Sequence, residues 1–234
     1  MRRLAHVLGD AVAEGEGDHV PARLCSACVD LLDITGASIS LSGGTDAQTL
    51  WWSSDPVASR LAEAQYTLGD GPCRSALRLV APVLAADLTQ GQDMRRWPVF
   101  AGQAVDLGVR AVFSLPLGST AVAIGTLDLY RDRPGPLSEQ DLAFAHPVAE
   151  AIAGALLALQ TASAATDAPG MASWLDAAES DHEEVHHATG MLMIHLNLEP
   201  QQALARLRAH AFGAGKNVTD VARDVVSGKL RFHD

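Results

Sequence analysis

The chain is short of cysteine and of positive charge, and its first residues lack a long apolar run; each shortage closes off a class of protein. Three cysteines, Cys25, Cys28 and Cys73, are too few and too odd in number for a disulfide framework, which fits a reducing interior. A formal charge of -11 disfavours loose adhesion to polyanions. The opening MRRLAHVLGDAVAEGE starts basic and soon turns acidic, so neither a signal peptide nor a membrane span is expected and the location is expected to be cytoplasmic. What the chain does have is apolar residues, 48% of its 234, enough for a sizeable core in one large or two unequal domains. Its charge is also uneven. Arg206, Arg208, Lys216, Arg223, Lys229 and Arg231 crowd the end against Asp220, Asp224 and Asp234. A locally basic end on an acidic protein can still meet phosphate, because charges beyond about 10 Å are largely screened.

Two short patterns suggest metal or redox chemistry. In His182-Glu183-Glu184-Val185-His186 the histidines would share a helix face, as in a zinc hydrolase. The extended motif then needs a glycine and a third histidine, and those positions hold Thr189 and Leu192. The only downstream glutamate, Glu199, precedes Pro200 at a helix start. A charged helix surface is the expectation, with no metal and no catalytic set. Cys25 and Cys28 have redox or metal spacing, but they sit in RLCSACVDLLDI, an amphipathic helix in which they are expected as two small buried residues.

Along the chain, helical spacing runs to about residue 34, with Pro21 suited to opening the second helix. ASISLSG and TDAQTLWWSS then form a hairpin across Gly43 and Gly44. Asp55 and Pro56 cap and open a helix through Tyr66. LGDGPCRSAL passes from a glycine turn into a helix at Pro72, either a plain turn with its cap or a start whose free amides face a ligand anion. APVLAADL gives a short strand, RRWPVFAGQAVDLGV one helix ending at Gly108, and RAVFSLPLG with TAVAIGTLDLYRD a second hairpin. Ser138 and Asp141 form an imperfect capping box for a long helix with a stripe of Leu142, Ala145, Ala149, Ile152, Leu156 and Leu159. That stripe needs either its own domain's sheet or a second copy. After TASAATDAPGMAS the pattern is helical to the end, in three segments. The expected fold is α+β: an antiparallel sheet flanked by helices, followed by a three-helix C-terminal module. Its parts are an N-terminal helix over 1–20, a sheet domain over 21–160, a linker over 161–173 and the helical module over 174–234.

The last part, with Ala188-Thr189-Gly190-Met191-Leu192-Met193, then Ala203 and Leu207-Arg208, then Asn217-Val218-Thr219-Asp220-Val221-Ala222, resembles the ANTAR domain, the RNA-binding module of antitermination regulators. Thr189 stands where many members have lysine. Residues 21–160 are similar to a GAF domain, the sensory fold of signalling proteins. The residues that carry this are Gly69-Asp70-Gly71-Pro72-Cys73, Pro82-Val83, Arg96-Trp97-Pro98, Gly108-Val109-Arg110, Leu115-Pro116-Leu117 and Gly125-Thr126-Leu127-Asp128-Leu129-Tyr130. The combination looks like a GAF and ANTAR regulator of the bacterial, actinobacterial type.

The resemblance implies binding to paired hairpin loops in nascent mRNA leaders, so that a terminator hairpin does not form, with a homodimer offering one module to each hairpin. Arg206, Arg208, Lys216 and Arg223 are the candidates for phosphate, and Asn217 and Thr219 for base edges or 2′-hydroxyls. His187, His195, His210 and Phe212 are candidates for stacking or for ordinary packing. Gly190 has apolar neighbours, and the expected compensation for a mid-helix glycine is close approach of another helix; Ala188, Ala203 and Ala222 are expected to serve the same tight packing. Cys73, Trp97, Phe113 and Asp128 are the candidates for lining a small-molecule pocket in the GAF part; no cofactor is expected. The alternatives are a protein-interaction module without RNA binding, and a thiol reductase in which Cys73, near a helix start, forms a favoured thiolate.

Overall fold

The computed structural model describes residues 20–42, 48–119, 121–166 and 183–232. The helix expected before residue 20, His182, and residues 167–173 of the expected linker lie outside them. Helix α1 (Val20–Leu31) leads into a hairpin, β1 (Gly36–Ser42) and β2 (Gln48–Ser53). Helix α2 (Pro56–Leu68) is capped by Asp55, whose Oδ1 accepts from the amides of Val57 at 2.8 Å and Ala58 at 3.0 Å. It runs two residues past Tyr66 and ends on Gly69, which has the left-handed conformation (φ +66°) that a helix C-terminus favours in glycine. Helix α3 (Pro72–Leu79) and strand β3 (Val83–Ala85) follow.

The next segment departs from the expected single helix. It is two, α4 (Gly91–Arg96) and α5 (Pro98–Asp106), broken at Trp97, whose φ of -134° and ψ of 65° are not helical. The cause is local: the Pro98 ring crowds the residue before it out of the α region and has no amide to continue the hydrogen-bond ladder. The break turns the Trp97 ring inward, where it is buried and donates from Nε1 to Ser75 Oγ at 3.3 Å.

Strands β4 (Ala111–Gly118) and β5 (Ala123–Arg131) complete an antiparallel sheet of order β2-β1-β5-β4-β3. Strand alternation gives it two faces. Ala37, Ile39, Leu41, Phe113, Leu115, Leu117, Leu127 and Leu129 face α1 and the long helix α6 (Glu139–Thr166). Cys25 and Cys28 are buried in this layer. Ala145, Ala149, Ile152 and Leu156 of α6 are buried in it too, so the helix stripe is covered by its own domain's sheet. Residues 139–158 are long and apolar enough to cross a membrane, but their apolar side is the inner wall of this core. The helix continues to Thr166, six residues into the expected linker.

The opposite face lies under α2, α3 and α5. Val112 and Tyr130 pack there with Ala58, Leu61, Trp97, Phe100 and Ala104.

The C-terminal unit consists of α7 (Glu183–Leu196), α8 (Pro200–Gly213) and α9 (Val218–Val226). Its core is narrow because its inner positions are small: Ala188, Ala203, Ala211 and Ala222 are fully buried beside Val185, Leu192, Leu207, Val218 and Val225. Tyr66, from α2 of the sheet domain, completes this core.

Candidate nucleic-acid interface and sensor face

On the α2–α3 side of the sheet the inward positions are polar where apolar residues would be usual. Ser38 and Ser114 stand on either side of Asp128 in register, with Ser40 beside Thr126. All five are buried. The Asp128 carboxylate accepts from Ser114 Oγ at 2.5 Å and Thr126 Oγ1 at 2.9 Å. Burial outweighs both bonds and pushes its pKa up to about 6. Close by, Gln48 Nε2 donates to Cys73 Sγ at 3.1 Å, and the Cys73 amide donates to Gln65 Oε1 at 2.8 Å. Gly71 permits the second contact: its φ is +133°, and a Cβ there would lie 2.6 Å from Gln65 Oε1.

The structure weighs against two alternatives in this region and corrects one expectation. The amide near the start of α3 that was a candidate for a ligand anion is taken by Gln65. The Cys73 thiolate is disfavoured, because complete burial, with the Asp128 charge adding to it, raises the thiol well above its usual pKa. Phe113 does not belong with Cys73, Trp97 and Asp128: it pairs with Leu129 and points to the α1–α6 face, with the Arg131 guanidinium 5.4 Å from its ring centroid. The structure therefore leaves Cys73, Trp97 and Asp128 on one side of the sheet. It adds Ser38, Ser40, Gln48, Ser114 and Thr126 from the strands, which the sequence signalled only as polar positions among apolar ones, and Gln65 and Ser75 from α2 and α3.

In the C-terminal unit the six cationic and polar candidates come from α8, α9 and the loop between them. Arg206 is exposed. Lys216 pairs with Asp224 at 2.9 Å, and Arg223 with Asp220 at 3.2 Å and Glu184 at 3.4 Å, all near the surface. Asn217 caps α9, its Oδ1 accepting from the Asp220 amide at 2.7 Å. Of the aromatic candidates, His187 lies 3.8 Å from Glu183, His210 meets Phe232 edge-on at 5.1 Å, His195 is exposed, and Phe212 is half exposed. His186 is exposed, and Thr189 Oγ1 donates to the Val185 carbonyl at 2.6 Å.

Gly190 is a correction. A Cβ on it would meet nothing within 4 Å among the described residues, so no other helix of the described chain compensates for it. Ala188, Ala203 and Ala222 do face the tight core.

Arg208 turns away from solvent onto the sheet domain. Its Nε donates to the Tyr66 carbonyl at 3.2 Å and its guanidinium lies 5.7 Å from the Tyr66 ring centroid. One step along, the Val218 amide, in the first turn of α9, donates to Thr67 Oγ1 at 3.1 Å. Beside this contact a cleft of about 410 Å³ runs between the two units, with Ser40, Gln48 and Glu63 on one wall and Glu184, Thr219 and Arg223 on the other.

Comparison with known proteins accounts for both units. A family model described as GAF domain matches residues 20–157, and one described as ANTAR domain matches residues 175–226. No curated protein matches the chain. Among solved structures, the free methionine-R-sulfoxide reductase from Neisseria meningitidis, in complex with its substrate, is 17% identical with a TM-score of 0.53, covering 68% of this chain and 89% of that one. The GAF domain of the Acinetobacter phosphoenolpyruvate-protein phosphotransferase is 13% identical with a TM-score of 0.53, covering 68% and 92%. Its counterpart from Coxiella burnetii is 14% identical with a TM-score of 0.53, covering 69% and 96%. At these identities the likeness is one of fold. With a GAF domain over more than half of its 234 residues and an ANTAR domain after it, the chain belongs to the GAF family and is a GAF and ANTAR regulator.

Proposed function

We propose that the protein is a cytoplasmic, signal-responsive RNA-binding regulator. Its ANTAR domain binds paired hairpin loops in nascent mRNA leaders and acts as an antiterminator, while its GAF domain responds to a small-molecule ligand at the polar face around Asp128. The observation that supports this best is that Lys216, Asn217, Thr219 and Arg223 follow one another along the loop and the length of α9, with Arg206 exposed on the adjoining α8 and Arg208 beside them at the contact with the sheet domain. The carboxylates that pair with Lys216 and Arg223 are no bar to phosphate. Surface pairs of this kind are weak and screened, so a polyanion can displace them. Asn217 keeps its amide donors for a base edge although its oxygen caps α9. A homodimer would place one ANTAR module on each hairpin and raise the effective concentration of the second contact.

Fluorescence anisotropy of the full chain with a two-hairpin leader RNA tests this. Affinity should fall as salt rises, and Lys216→Ala should lower the slope of log K against log salt by about 0.7, one single-strand phosphate contact. The neutralising positions of Asp220, Glu184 and Asp224 favour a second reading, a protein-interaction module without RNA binding. That reading gains, and the first fails, if no RNA is bound at any salt concentration.

A further inference from the structure

We infer that the arrangement described above is a closed state, in which the GAF domain covers part of the ANTAR surface that RNA needs. This rests on the RNA-binding role proposed for Arg208 and the start of α9. Both are occupied by the last turn of α2, residues Tyr66 to Gly69. The Arg208 guanidinium is held by the Tyr66 carbonyl and ring, and the Val218 amide by Thr67 Oγ1. Gly69 makes room for the approach, since a Cβ at that position would lie 2.7 Å from Arg208 Nη1. Tyr66 is 4% exposed and belongs to the ANTAR core as much as to its own helix, so the GAF domain supplies a wall of that core. An RNA strand and the α2 turn cannot hold the same guanidinium.

The cleft beside the contact is lined by both domains, so a shift of α2 relative to the sheet alters the surface on which α8 and α9 rest. Signal and RNA binding are then linked through one equilibrium: whatever favours the undocked form raises RNA affinity in proportion to the open fraction.

The test is RNA binding by full chains in which only the GAF side of the contact is changed. Thr67→Arg puts bulk and charge into the interface. Thr67→Val keeps the shape but leaves the Val218 amide without its acceptor only while the domains are docked. For a closed chain with an open fraction on the order of 1–10%, Thr67→Arg should raise affinity for the two-hairpin RNA roughly 10- to 100-fold, and Thr67→Val by a smaller factor in the same direction. Arg208→Ala added to Thr67→Arg should then remove most of that affinity. Circular dichroism melts verify that the variants are folded. Affinity equal to or below that of the unaltered chain in both folded Thr67 variants overturns the closed state alone. Undiminished binding by the Thr67→Arg, Arg208→Ala chain shows that Arg208 is not the group being covered and overturns it too. Absence of RNA binding by every chain overturns this inference together with the RNA-binding role.

Discussion

Ser114 and Asp128 stand opposite one another on β4 and β5, the hydroxyl donating to the carboxylate at 2.5 Å inside a fully covered sheet face. Taking a carboxylate out of water is costly even among these hydroxyls, and the chain keeps one there.

Asp128 should therefore make stability fall with rising pH. Its pKa is about 6 folded against 3.8 for the free side chain, so between these values the folded chain holds a proton that the unfolded chain has released. The associated stability is fully present below about pH 4 and is lost as pH rises through about 6. Asp128→Asn keeps oxygen and shape without the charge, and should stabilise the chain at pH 7 by roughly 2–3 kcal/mol, with no gain below pH 4. Urea unfolding at several pH values checks this; an equal effect at all pH values would sink it.

Asp55 should act with the opposite sign. Partial burial pushes its pKa up, but bonds from Ser54, Ala58, Tyr130 and Val57 prevail and hold it below the usual carboxylate value. Its contribution is present above the unfolded pKa and lost as pH falls through the folded one. Asp55→Ala removes the cap of α2 and the partner of the Tyr130 hydroxyl at 2.9 Å, and should cost about 2 kcal/mol at pH 7, with less difference in acid. The same urea series reads both residues.

The three cysteines should be inert in the native chain. Cys25, Cys28 and Cys73 are buried, and burial raises each thiol, that of Cys28 to about 12. Ellman's reagent at neutral pH should label none before denaturation and all three after it. Rapid native labelling of Cys73 would revive the thiol-reductase alternative.

Gly190→Ala should stabilise α7. Space for the methyl group is open, and glycine inside a helix costs roughly 0.5–1 kcal/mol against alanine. A rise of that size in unfolding free energy is expected by thermal or chemical denaturation. A loss of stability would mean that Gly190 is packed closely in solution, for instance against a second copy of the chain.

Much of the architecture was legible because its signals are local. Asp55 before Pro56 and Ser138 before Asp141 act through neighbours within a turn, and the stripe from Leu142 to Leu156 repeats at helical spacing, so short-range pattern exposes them; the buried alanines at 188, 203 and 222 were legible through the ANTAR resemblance. The break at Trp97 was equally local, a consequence of Pro98, and was masked by the apolar run around it. The failures elsewhere have a different cause. Phe113 and Asp128 are both buried and both in strands, and only the pairing of Ser114 with Asp128 and Phe113 with Leu129 separates them onto opposite faces.

What the sequence determined by itself was most of the order of elements among the described residues and the chemistry available at each position, because helix caps, alternation and side-chain size are properties of short segments. Tertiary structure alone decided where that chemistry is spent. Arg208 reads as one more cation in a basic segment, yet it rests on the Tyr66 carbonyl, 142 residues away in the chain. No local pattern encodes such a contact: it exists only once surfaces from distant parts of the chain have met, and its strength depends on the water both of them have lost.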